Sequence, residues 1–132
     1  MGLISPLFSL IAPFIIWPVE YLLPFPYLVE EVYKSILVLL VVNDNLSKKD
    51  QALLVVVNGV LFSISETFFY FINIYKVGSL TTVLERLIST TPLHIVTILI
   101  IFYFAKKNKK LLPIGFFVSV ILHYLFNLMI GK

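Results

Sequence analysis

The chain has 132 residues, of which 60% are hydrophobic and only 13% charged, and its mean hydropathy is +1.03. A soluble domain of this length cannot hide so much apolar surface, so the expected solvent is a lipid bilayer and the expected count is one membrane domain, residues 1–132. The net charge of +3 is small and its lysines sit in loops beside apolar runs, which indicates membrane orientation more than nucleic-acid binding, and no nucleic-acid partner is expected; the absence of cysteine excludes disulfide, thiolate and iron–sulfur chemistry.

Five apolar stretches follow in order. The first, about 3–23, holds Pro6, Pro13 and Pro18, so it either spans brokenly or lies in the interface. Its start has no basic n-region, against a cleaved signal peptide, and Pro6 breaks the myristoylation pattern after Gly2. The second, about 26–42, carries Glu30, Glu31 and Lys34 near its beginning and ends in the polar turn 43–50. The third (51–74), the fourth (81–105, with a kink expected at Pro92) and the fifth (111–130) are each long enough to cross hydrocarbon as helices. None alternates in polarity as barrel strands do. The expected fold is an all-α polytopic bundle of four to five transmembrane helices.

Lys48, Lys49, Lys106, Lys107, Lys109 and Lys110 fall on one side of that bundle, with Lys76, Lys132 and, near the boundary, Arg86 opposite. The lysine-rich side is expected to be cytoplasmic in a cell membrane. Glu30, Glu31, Glu66, Arg86, His94, His123 and Asn127 all lie toward the other end of their segments.

Acids are costly in hydrocarbon, at roughly 2.5–3.5 kcal/mol each on insertion scales, so their clustering at one depth needs a reason. The spacing supplies part of it. Ser63, Glu66, Tyr70 and Asn73 share one helical face, as do Arg86, Thr90, His94 and Thr97, and Ser119, His123 and Asn127. Each face should point inward, because lipid offers no hydrogen-bond partners. Glu30, Glu31 and Glu66 set against Lys34 and Arg86 leave one carboxylate without a counter-charge, Glu85 being near the interface. That carboxylate either carries a proton or faces a metal ion, and both arrangements suit activation of water.

Simpler roles exist for each residue alone. Acids favour helix N-termini, Lys34 can pair one turn back with Glu30 or Glu31, and Glu66 can pair with Arg86. His94 can bond a neighbouring backbone group, and His123 with Asn127 can serve helix–helix hydrogen bonding. Tyr70 and Tyr124 read as packing residues.

Taken together, the residues resemble a family. Glu30-Glu31-Val32-Tyr33-Lys34 looks like the EExxK motif of PrsW-type intramembrane proteases, within the wider CAAX-protease and bacteriocin-processing superfamily. Glu66, then Arg86 with His94, then His123 and Asn127 as HxxxN, continue the resemblance in the family's order. Lys34 and Glu66 favour the PrsW branch, although the chain is shorter than PrsW-type proteins, which usually have more spans. The resemblance implies an endopeptidase that cleaves a membrane-anchored protein or peptide with a glutamate-activated water. Carried onto this chain, Glu30 is the general base and Glu31 helps hold the site. His94, His123 and Asn127 bind metal or stabilise the oxyanion, supported by Lys34, Glu66 and Arg86. The cofactor implied is one divalent metal, zinc, on Glu30, His94 and His123, or none. The active site is expected toward the non-cytoplasmic face. Two other classes share these residues: a proton- or cation-coupled transporter or channel subunit, and a non-catalytic scaffold or immunity protein of the same fold.

Overall fold

A computed structural model describes residues 1–74 and 79–130, with the side chains of 73 and 74 excepted. Lys76, Lys132 and the side chain of Asn73, named above, therefore lie outside the described residues. Among the described residues there are five α-helices and no strand: α1 (Ser5–Leu22), α2 (Pro26–Val42), α3 (Lys48–Ile74), α4 (Leu80–Lys107) and α5 (Leu112–Met129). A 3-10 turn precedes α1 and another joins α4 to α5.

Four of the five, α1, α3, α4 and α5, are long and apolar enough to cross a membrane. The chain is an all-α polytopic membrane bundle. The first segment, whose prolines left its form open, is a helix running unbroken through Pro13 and Pro18. Backbone oxygens along it take donors from the neighbouring helices: the Tyr33 hydroxyl donates to the Phe8 carbonyl at 3.0 Å, and Ser65 donates to that of Leu10. These bonds tie α1 to α2 and α3; the carbonyls that Pro13 and Pro18 leave without a helical donor are those of Ser9 and Phe14, four residues earlier. Likewise α4 continues through Pro92, and the hydroxyls of Thr90 and Thr91 back-bond to the carbonyls of Arg86 and Leu87 in the turn before it.

Helix α2 is short, at 17 residues, or roughly 26 Å. It packs against all four others, and Glu30, Glu31, Lys34 and Ser35 are buried within the bundle. Its charges face protein rather than lipid.

Successive helices alternate in direction. Lys106 donates to Gln51 at 2.6 Å, Gln51 to the Asp44 carbonyl at 2.9 Å, and Lys109 reaches Asn43, which gathers the lysine-rich turns at one end. An apolar layer of Val38, Val41, Val55, Ile98, Ile101 and Ala105 fills the bundle there. Two glycines set how closely the helices approach. A Cβ on Gly59 would lie 3.0 Å from the Ile95 Cα, and one on Gly115 would lie 3.1 Å from the Ile101 Cα. Small residues let helix backbones meet in this way. Gly59 brings α3 against α4 beside His94, and so sets the spacing of the site.

Candidate active site

Away from the lysine end, the polar faces of α2, α3, α4 and α5 converge. The wholly buried Glu31 uses one oxygen, Oε1, for two donors: Lys34 Nζ at 2.6 Å and His123 Nδ1 at 2.8 Å. Lys34 Nζ also donates to Thr97 Oγ1 at 2.9 Å and lies 5.3 Å from the centre of the Phe62 ring. Ser119 Oγ donates to the Thr97 carbonyl at 2.9 Å, which ties α5 to α4 beneath His123. A side chain as long as lysine loses much rotamer freedom when buried, so these contacts fix it in one pose.

A second set joins α3 to α4. Glu66 accepts from Arg86 through Oε1 at 2.6 Å and meets His94 Nε2 through Oε2 at 2.7 Å. Arg86 stacks over Tyr70, its guanidinium carbon 3.8 Å from the ring centre. His94 is buried against Phe62, with ring centres 5.0 Å apart, and its ring stands edge-on to His123 at 5.7 Å.

Glu30 lies between the two sets. It is 8% exposed, its Oε2 has no hydrogen-bond partner, and that oxygen is 3.8 Å from His123 Nε2. Because His123 Nδ1 faces the Glu31 carboxylate, the bonded tautomer carries its proton on Nδ1 and turns a bare Nε2 toward Glu30. Carboxylate, imidazole and second carboxylate thus stand in sequence, the last two, His123 and Glu30, at the wall of a cavity of about 670 Å³. The cavity is bounded by Glu30, Glu66, Arg86, His123 and Asn127 among the polar residues, with Trp17, Tyr27, Phe69, Tyr70 and Tyr124 as aromatic walls.

The pairings refine the sequence reading. Lys34 binds Glu31, and His94 binds Glu66 rather than a backbone group. Asn127 lines the cavity but bonds neither imidazole. Tyr70 and Tyr124 line it as well. Glu85 is exposed. One residue was missed. Glu20, near the end of α1, lines the same cavity and raises the acids at this depth from three to four. The signal was available: it is the sole charged residue of the first apolar stretch and lies at the depth of Glu30 and Glu66.

Among the described residues, Glu30, Glu66 and His94 each offer a ligand atom lying within 4.8 Å of the others. This group has Glu66 in the place of His123 of the expected set Glu30, His94 and His123; His123, held through Nδ1 by Glu31, still turns its bare Nε2 toward Glu30 at 3.8 Å. The chemistry of the group fits a divalent cation. Glu30 Oε2 and His94 Nδ1 are buried without partners, and four carboxylates (Glu20, Glu30, Glu31, Glu66) against Lys34 and Arg86 leave two negative charges.

The fold and site define a membrane-embedded bundle whose buried carboxylates and imidazoles gather beside a cavity. A family model described as PrsW family intramembrane metalloprotease matches residues 21–132, and the chain belongs to that family. No curated protein and no solved structure matches it.

Proposed function

We propose that this chain is an endopeptidase that hydrolyses a peptide bond of a membrane-anchored protein, with Glu30 as the general base. The observation that carries the reading is the buried, unpartnered Oε2 of Glu30 at the cavity wall, 3.8 Å from His123 Nε2. That separation is too long for a direct hydrogen bond, yet a water lying off the line between the two atoms touches both. Glu30 takes a proton from that water as it attacks the carbonyl carbon. Glu31, fixed by Lys34, holds the His123 tautomer in which Nε2 is bare toward the water. The protonated Glu30 then passes its proton to the leaving amine.

Glu66, fixed by Arg86, holds His94 on the other side of Glu30. Asn127, further along the cavity wall, offers an amide donor to the developing oxyanion, while His94, its Nε2 on Glu66, keeps Nδ1 free to act as a ligand. Glu30, Glu66 and His94 would hold a divalent metal, zinc being the natural choice for carboxylate and imidazole donors. When bound, such an ion polarises a carbonyl and lowers the pKa of water.

The lysine-rich end is the cytoplasmic side of a cell membrane by charge asymmetry, which puts the cavity toward the outer face. A transporter would need a polar route to the lysine end, and there the buried apolar layer around Val38, Val55 and Ile101 stands in the way. The test is cleavage of single-span peptides by purified protein in liposomes, with and without chelator. Cleavage lost in Glu30→Gln supports the reading. Ion flux without cleavage would replace it with the transporter.

A further inference from the structure

Glu20 is the cavity carboxylate that the hydrolytic scheme leaves unused. The other charged groups around it are committed. Glu31 holds Lys34 and His123, Glu66 holds Arg86 and His94, and Arg86 is stacked on Tyr70. Glu20, half-buried, has neither a hydrogen bond nor an ion pair among the described residues, and it stands outside the group able to hold a metal. It belongs to α1, all but two residues of which precede the range matched by the family model.

Trp17 lies one turn before Glu20 on the same cavity wall. Its ring is 5.8 Å from Tyr21 and 6.1 Å from Phe69, and it is 47% exposed, so a face of it is open to a guest. An anionic oxygen beside an open indole is the pair of features that recognises an ammonium or guanidinium group: charge-assisted hydrogen bonding from one, cation–π attraction from the other. Glu30 Oε2, also without a partner at this wall, adds to the negative field and draws the same sign of charge inward.

We infer that Glu20 and Trp17 form a subsite for a lysine or arginine side chain of the membrane-anchored substrate, flanking the bond to be cleaved. The inference rests on the peptidase reading and specifies its substrate class: a segment with a basic residue at the bilayer boundary nearest the cavity. Long basic side chains reach that boundary readily by extending toward the headgroups.

Trp17 is the one tryptophan of the chain, so its fluorescence reports occupancy without any need for turnover. The probes are single-span polyleucine peptides carrying lysine, norleucine or glutamate at one position near the end that meets the cavity. They are titrated into the full chain in an uncharged detergent, and cleavage is followed by mass spectrometry in parallel. The lysine peptide should bind about tenfold more tightly than the norleucine peptide, the worth of one charge-assisted contact. Glu20→Gln should bring the lysine peptide down to the norleucine level, and Glu20→Lys should favour the glutamate peptide. Equal affinities for the three peptides, or a lysine preference that survives Glu20→Gln, overturns the subsite. A lysine preference without cleavage would leave the subsite standing and remove the peptidase reading. Cleavage without preference does the reverse.

Discussion

Replacing Lys34 by methionine keeps most of the side-chain volume and removes the ammonium from a place where water does not reach. Lys34 and Glu31 are both wholly buried and their charged atoms are 2.6 Å apart. At an effective dielectric of 20, that separation corresponds to an attraction of about 6 kcal/mol, set against the cost of desolvating both ions. Removing one partner strands the other, and buried pairs broken in this way typically lose roughly 3–5 kcal/mol. Lys34→Met should therefore destabilise the bundle by about that amount in unfolding titrations with dodecyl sulfate against an uncharged detergent. The double variant Lys34→Met with Glu31→Leu should regain most of the loss, because an apolar pair of similar volume is close to neutral in place of a buried ion pair. Its peptide cleavage should nevertheless be absent, because His123 has lost the carboxylate that orients it. A single variant as stable as the wild type, or a double variant weaker than the single, would refute the placement of this charge pair.

Other outcomes test the remaining parts. Glu30→Gln should unfold like the wild type yet cleave about 10²–10⁴-fold more slowly, as measured by single-turnover kinetics. Gly59→Val puts new atoms where a Cβ already meets the Ile95 Cα at 3.0 Å. It should cost about 1–3 kcal/mol by forcing α3 and α4 apart, and it should weaken cleavage by lengthening the contact between Glu66 and His94. Metal content by plasma mass spectrometry should approach one divalent ion per chain and fall on Glu66→Gln while staying constant on Asn127→Ala. Equal metal content in both variants would argue against Glu66 as a ligand.

Much of the site could be read from residue spacing, because a helix in lipid has to turn its ionisable groups inward. Glu66, Arg86 and His94 meet as their three- and four-residue rhythm implied. The choice of partner was a different matter. Glu30 and Glu31 are adjacent in sequence, about 100° apart around a helix, so one faces the cavity and the other the Lys34 pocket. Which faces which depends on how α2 sits against α5, and nothing local encodes that. The first segment hid both its form and its contribution. Its prolines argued for a break, yet the helix continues through them while packed against α2 and α3, whose residues are distant in sequence. Glu20 went unnoticed because it has no polar companion at helical spacing within its own segment. Its neighbours in space come from α2 and α3. The close approach at Gly59 was equally silent, since a glycine in an apolar run announces no particular partner.

The most direct measurement is hydrolysis in H₂¹⁸O of a library of single-span membrane peptides by the purified chain in liposomes, with Glu30→Gln alongside. The wild type should generate new C-termini carrying one ¹⁸O atom, at a rate that Glu30→Gln lowers at least about a hundredfold. Cleavage at equal rates by both proteins would contradict the role given to Glu30, and intact peptides in the wild-type reaction would contradict the peptidase itself.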